Sequence, residues 1–389
     1  MIARIFIPII FAIVLPDLYF DTHYLRHRLV YKWWKRMLWW LPSTVMLVYT
    51  IALTSIRNFA PTDLTWLNVY LMLVGLYVVP KAIIAFCSSL GLLYCRLSHT
   101  RKNWGNLIAP VLCLFSLFIL IYGSVFGFRR FRVAHVDIYS KDLPAAFDGY
   151  RITQFTDAHV GTLTGSRLSI LTRAIDSINA QHADAIVFTG DIQNMHPMEL
   201  YPVQRILSKL HAHDGVFSVR GNHDYSHYIN AEPAVKIANE RELVSLERRF
   251  GWDLLLNEHR VIRRGADSIV IAGEENGGGY KDVQRADLRK TMAGIRKGAF
   301  VVMLQHDPSA WRNSILHKTD VQLTLSGHTH GGQISVFGIR PTMFFDHEDR
   351  GLYFEGHQTL YVSSGIGGLI PFRFNVPGEI AVFTLHKLK

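Results

Sequence analysis

Cysteine is almost missing from this chain. Its 389 residues contain three, Cys87, Cys95 and Cys113, and none follows. A disulfide framework, a thiolate nucleophile and a cysteine-ligated zinc are thereby excluded from everything beyond Cys113. Acidic residues are scarce in one region only. Positions 1–132 hold 3 Asp and Glu against 14 Lys and Arg, while positions 133–389 hold 28 against 27. The formal charge of +10 therefore belongs to the first third, and it gives no reason to expect nucleic acid binding by the rest. No Lys-Ser/Thr and helix follow Gly277-Gly278-Gly279, which removes a phosphate cradle of the P-loop kind. Internal repeats and low-complexity tracts are also absent from the sequence.

What fills the first third is apolar sequence. Met37–Ser55 and Leu107–Phe128 are long enough to cross ~30 Å of hydrocarbon. Leu64–Val79 resumes after Lys81 as far as Tyr94, as one long span or as a span with a re-entrant continuation. Ile2–Leu15 is shorter and contains Pro8. No small-x-small cleavage site follows it, so it reads as a first span rather than a removed leader. Residues 1–132 are thus expected to be a helical transmembrane region of four spans, with Trp33, Trp34, Trp39 and Trp40 forming an interfacial belt. The loops at 21–36 and 96–105 carry eight basic residues, Arg28 and Lys32 among them, against five on the other side. The positive-inside rule then places residues 133–389 outside the cytoplasm, on a multi-pass protein of a bacterial plasma membrane.

Beyond position 132 the texture alternates between strands and helices. Apolar runs at Arg151–Thr156, Ala185–Thr189, Val216–Val219, Phe300–Leu304 and Val321–Leu325 read as buried strands. Further strands are expected at Ser268–Ala272, Gln333–Phe337, Thr359–Ser363 and Glu379–Leu385. Helices are expected at Ser166–Ala180, Met198–His211, Pro233–Phe250 and Arg285–Lys297. The pattern predicts an α/β domain built as a two-sheet sandwich.

A block of metal-binding residue types follows each of the five main strands. They are Asp157-Ala158-His159, Gly190-Asp191, Gly221-Asn222-His223-Asp224, Gln305-His306-Asp307 and Gly327-His328-Thr329-His330. Side chains leaving the ends of neighbouring strands converge, and Asp, Asn and His gathered at one point suit two divalent cations. Asp191 is the natural bridging carboxylate. Two cations, two carboxylates and a bridging hydroxide leave about one positive charge, matched to an anionic phosphate.

The order D-x-H, G-D, G-N-H-D, H, G-H-x-H resembles the calcineurin-like metallophosphoesterases over roughly residues 149–386. Gly327–Gln333, Ser364–Gly367, Arg373 and Pro377–Ile380 look like a membrane-associated bacterial branch that includes UDP-2,3-diacylglucosamine hydrolases. The resemblance implies a four-layer α/β/β/α sandwich. It implies one metal on Asp157, His159, Asp191 and His330, and another on Asp191, Asn222, His306 and His328. It makes His223 the catalytic group that protonates the leaving oxygen, with Asp224 holding its ring, and the metals Mn²⁺ or Zn²⁺, with Fe also used in the family.

Asp307, before Pro308, reads as a helix-start residue, and His196 and His227 as surface residues. Glu274–Asn276 reads as a plain turn ahead of the glycines, and Arg373 is a minor candidate for phosphate contact. The expected activity is hydrolysis of a phosphate ester by hydroxide held between the metals. The membrane tether suits a lipid-linked substrate, with membrane lipids as the other partner. UDP-2,3-diacylglucosamine hydrolysis is an alternative if the domain faces the cytoplasm. The alternative of another class is a catalytically silent membrane sensor or scaffold.

Overall fold

The structure is a computed structural model that describes residues 2–26, 33–279 and 283–388, so Arg28 and Lys32 lie outside the described residues. The chain divides into two compact units, Met1–Gly123 and Ser124–Lys389.

Among the described residues, four helices are long and apolar enough to cross a membrane: Phe6–Leu25, Trp33–Thr54, Leu64–Ser98 and Gly105–Arg129, the last of which begins in the first unit and ends in the second. The third is one continuous helix, not a span with a separate re-entrant piece. Lys81, which interrupts its apolar run, is buried and satisfied. Its ammonium lies 2.5 Å from the buried Asp17 carboxylate and donates to Ser43 Oγ and Tyr77 OH, each at 2.7 Å. Pairing is what makes a buried charge tolerable in apolar surroundings.

The second unit is a sandwich of two six-stranded sheets. Its strands are β1 (Phe131–Ser140), β2 (Tyr150–Phe155), β3 (Ala185–Thr189), β4 (Val216–Val219), β5 (Asp253–Leu254), β6 (Glu258–Arg264), β7 (Asp267–Gly273), β8 (Phe300–Leu304), β9 (Leu323–Ser326), β10 (Gly351–Glu355), β11 (Gln358–Val362) and β12 (Gly378–Lys387). One sheet runs β1-β12-β2-β3-β4-β5 and the other β10-β11-β9-β8-β7-β6.

Period-two alternation builds the layers. Ile152, Val187, Phe217, Val302, Leu304 and Leu325 point between the sheets into a shared core. Phe155, Ile186 and Phe188 point the other way, onto the helix Leu168–Asn179, whose Ile170, Leu171, Ala174, Ile175 and Ile178 form one apolar stripe. Val301 and Met303 face Trp311 and Ile315 on the far side. The result is the expected four-layer α/β/β/α arrangement.

Several elements differ from the sequence reading. Gln333–Phe337 is not a strand; it makes only isolated bridges, Ile334 to Phe374 and Val336 to Ile339. The helix expected at Arg285–Lys297 is confined to Leu288–Met292, capped by Asp287 and followed by Gly294 at φ 86°. Met198–His211 is a 3₁₀ segment, Pro197–Val203, with one α turn after it, because Pro202 lacks the N–H a longer helix needs. The edge strands β1 and β6 are half-exposed or charged and so lack a buried-strand pattern.

Candidate metal centre

Topology brings the five blocks together. β2, β3 and β4 are parallel neighbours in one sheet, and β8 and β9 are parallel neighbours in the other. Their C-terminal ends therefore open toward one edge of the sandwich. Backbone bonds stitch the blocks: Asp157 N–H donates to Gly190 O at 2.9 Å, His159 N–H to Asp191 O at 3.1 Å, and Gly327 N–H to His306 O at 3.0 Å.

The seven residues expected to hold metal form one cluster. Asp157, His159 and His330 have ligand atoms within 4.8 Å of one another, and so do Asp191, His306 and His328. Asp191 Oδ2 lies between the groups, 3.6 Å from His159 Nε2 and 3.2 Å from His306 Nε2. Asn222 Oδ1 joins the second group, 3.1 Å from His306 Nε2 and 2.8 Å from His328 Nδ1. One carboxylate oxygen between two sets of donors is the arrangement a bridging ligand requires.

The backbone is strained where these side chains turn inward. Asp157, His159, Asp191, His328 and His330 have φ between 43° and 74°. Few residues other than glycine adopt this region, and it recurs where function over-determines the backbone. Gly190, at φ 97°, is needed for close approach as well: a Cβ there would sit 2.5 Å from Gly221 N and 2.7 Å from His306 Nδ1.

Carbonyl oxygens fix the imidazole tautomers. His306 Nδ1 donates to Thr189 O at 2.7 Å, so Nε2 is the nitrogen that faces Asp191. Asn194 Oδ1 accepts from His159 Nδ1 at 3.2 Å. His159 Nε2 is then left buried with no hydrogen-bond partner. A buried lone pair without a donor, aimed at carboxylates and other imidazoles, fits a divalent cation.

The electrostatics agree. Burial pushes Asp157 up to about 6, against the pull of His306. Burial drives His159 down to about 3 and His330 well below its ordinary value. For His306, burial is outweighed by the Asp191 and Asp157 carboxylates, which raise it to about 10. Bound cations would relieve this mismatch of buried carboxylates and imidazoles.

His223 stands apart. It is nearly buried, its ring 4.9 Å from that of His159 and 4.6 Å from that of Tyr228. The expectation that Asp224 holds its ring needs correction. His223 Nδ1 instead donates to Asn194 O at 2.6 Å, which leaves Nε2 as the other ring nitrogen. Asp224 accepts from the backbone N–H groups of Asp191, Ile192, Gln193 and Gly221, at 2.7 to 3.3 Å. It shapes the loops that carry Asp191 and Asn222. Asp224→Asn would turn an amide N–H₂ against backbone donors. We expect a loss of about 2 kcal/mol or more of stability, read as a lower Tm, with the pH–rate profile of any hydrolysis unshifted.

Sequence reasoning missed Asn194. Its carbonyl, its side chain and Glu199, which accepts from its N–H at 2.6 Å, hold two of the site's histidines in place. Its position three residues after Asp191 was the only available sign. The Arg373 guanidinium is engaged by the backbone. It is fully buried and donates to the carbonyls of Ser364, Gly365, Gly367 and Val376. That loop in turn backs Asp157, with Gly367 N–H donating to Asp157 O at 2.9 Å. Asp307 accepts from Ser309 N–H at 2.9 Å, as a helix-start residue does. Glu275 of the expected turn is tied to Arg220, Tyr225 and Asn257.

Under β4, Glu247 accepts from Ser218 Oγ at 2.7 Å and is completely buried. Burial, reinforced by Asp224, pushes it up to about 8. An acid raised in the folded state destabilises only where the unfolded chain would ionise. The penalty is therefore absent below the ordinary carboxyl range and grows until pH passes about 8. Glu247→Gln should raise stability at pH 8 by on the order of 2 kcal/mol and leave it little changed near pH 4.5; thermal denaturation at both values checks this.

Two family models match the chain. One, described as a probable calcineurin-like phosphoesterase transmembrane domain, covers residues 3–128. The other, calcineurin-like phosphoesterase, covers residues 150–332. The uncharacterized metallophosphoesterase YkuE of Bacillus subtilis is 32% identical over 68% of this chain and 91% of its own length. A transmembrane protein with metallophosphoesterase domain from Danio rerio is 27% identical over 84% of this chain and 75% of its own. Among solved structures, a dimetal phosphatase from Danio rerio aligns with a TM-score of 0.34 and 11% identity, over 59% of this chain and 94% of that one.

Proposed function

The chain belongs to the calcineurin-like phosphoesterase family, and on that premise we propose that it is a membrane-anchored hydrolase of phosphate esters working through two divalent metals. The observation that carries this reading is Asp191 Oδ2, set between His159 Nε2 and His306 Nε2. Asp157, His159, Asp191 and His330 would hold one ion, and Asp191, Asn222, His306 and His328 the other. Bound there, Mn²⁺, Zn²⁺ or Fe supplies Lewis acidity toward the phosphoryl oxygens and acidifies water for attack on phosphorus.

The chain's own residues do the rest. Thr189 O and Asn194 Oδ1 keep His306 and His159 in the tautomers that present Nε2 to the centre. Asn222 Nδ2 donates to Tyr228 OH at 2.8 Å, which turns Oδ1 inward. His223, held through Nδ1 by Asn194 O, has Nε2 to deliver a proton to the leaving oxygen. Burial lowers its proton affinity, and the Asp191 carboxylate opposes that effect.

A silent scaffold would have no need for strained backbone at five of seven ligand positions, so the enzyme is the reading we favour. The balance of loop charge supports a catalytic unit outside the cytoplasm of a bacterial cell, where UDP-2,3-diacylglucosamine is not met. A reporter fused to the C-terminus reads this directly; a cytoplasmic signal would restore the nucleotide-lipid substrate. Hydrolysis of p-nitrophenyl phosphate and its diester by the full chain tests the activity itself, and failure on both with two metals bound would sink it.

A further inference from the structure

Between His330 and β10 lies a loop that turns its apolar side chains outward. Phe337, Ile339, Met343, Phe344 and Phe345 are all exposed, Phe337 by 90% and Phe345 by 85%. Five large apolar side chains gathered on so short a stretch of surface mark an interaction site.

The loop is built to display them. Val336 and Ile339 exchange both backbone hydrogen bonds at 3.0 Å and close a two-residue hairpin. Its tip residues, Phe337 and Gly338, have φ of 52° and 84°. Asn-Gly fills such a turn most readily, and phenylalanine at positive φ is strained. Farther along, Arg340 grips Asp349 with contacts of 2.6 and 3.0 Å, and Thr342 Oγ1 donates to the same carboxylate at 3.0 Å. Folding alone does not call for an aromatic at the tip of a braced hairpin.

The position of the loop points to its occupant. Ser335 N–H donates to Phe374 O at 2.8 Å, and Ile334 bridges Phe374. Four residues on, Gly378 pairs with Phe131, and its N–H donates to Arg130 O at 2.9 Å. Phe131 opens β1, directly after the last candidate span, Gly105–Arg129. The apolar loop thus belongs to the end of the catalytic unit at which the chain arrives from the membrane. On its other side, Phe345 and Asp346 line a cavity of about 380 Å³ together with His328 and Asp307.

We propose that residues 334–345 form a membrane-inserting element. Its aromatic tips enter the lipid–water interface, and the metal centre is presented to a phosphate ester whose apolar part stays in the bilayer. Insertion stands on the loop alone; the substrate class rests on the phosphoesterase reading.

The test uses the full chain in phosphatidylcholine nanodiscs containing doxyl-labelled lipid. With Cys95→Ser as background, a fluorophore is attached at Phe344→Cys or, as control, at Asp320→Cys, which precedes β9 at the end opposite His328. Insertion predicts at least two-fold stronger quenching at 344 than at 320; equal quenching at the two positions overturns the proposal, whatever the activity. The variant Phe337→Ser/Met343→Ser/Phe344→Ser then addresses the substrate. With a p-nitrophenyl phosphodiester, KM should rise at least ten-fold for a long-chain ester in vesicles and less than two-fold for the methyl ester in solution. An equal change in both overturns the substrate class. Wild-type inactivity on both contradicts the enzyme reading and leaves the quenching result to decide insertion.

Discussion

Asp191→Ala should empty both metal positions together and lower hydrolysis by about three orders of magnitude or more, roughly 4 kcal/mol of transition-state stabilisation. The expectation follows from one atom. Asp191 Oδ2 faces His159 of one donor group and His306 of the other, while Oδ1 accepts from His223 N–H at 2.8 Å. Truncation removes the shared ligand, the anion that offsets His306, and the acceptor that seats His223. Elemental analysis of the purified variant should find well under one ion per chain. An ordinary structural aspartate would lower Tm and leave metal content per folded molecule unchanged. Asp157→Ala is the useful comparison, since Asp157 belongs to one group only and its loss should spare part of the second ion.

His223→Gln should behave differently. Its Nδ1 is hydrogen-bonded to the Asn194 carbonyl, and the residue lies outside both donor groups. Metal content should stay at the wild-type level while kcat falls by about 10²–10⁴-fold, the usual range for a lost general acid. The size of the fall should depend on the leaving group. A p-nitrophenolate leaves without help, so its ester should lose least, and an alkyl ester should lose most. A uniform loss across leaving groups would mean that His223 shapes the site and transfers no proton. Loss of metal would mean that it belongs to a ligand set after all.

Much of this site was legible in the sequence because its information is carried by side-chain identity at strand ends. Five short apolar runs each deliver an Asp, Asn or His, and parallel pairing of β2, β3 and β4 places three of those blocks together. What was not legible acts through backbone atoms. Asn194 orients His223 with its carbonyl, which any residue possesses, and Asp224 works by collecting four backbone N–H groups. The family resemblance makes Asp224 the partner of the His223 ring, but its carboxylate is taken up by those four donors. The strand expected at Gln333–Phe337 failed for a related reason. Ile334 and Val336 alternate as strand residues do, but Gly338 allows the chain to reverse at once, leaving Phe337 outside any sheet. In the membrane unit, length and hydropathy located the spans, while the pairing of Lys81 with Asp17 across 64 positions left no local trace.

A centre of two metals that hydrolyses phosphate esters should be lost and regained with its ions, which reconstitution of the stripped chain measures. Full-length protein freed of metal by a chelator is titrated with Mn²⁺ or Zn²⁺ while hydrolysis of a p-nitrophenyl ester is followed. Hydrolysis should be absent without metal and recover fully at two equivalents. Hydrolysis that persists in the chelator, or that saturates at a single equivalent with no second ion bound, would contradict a two-metal centre.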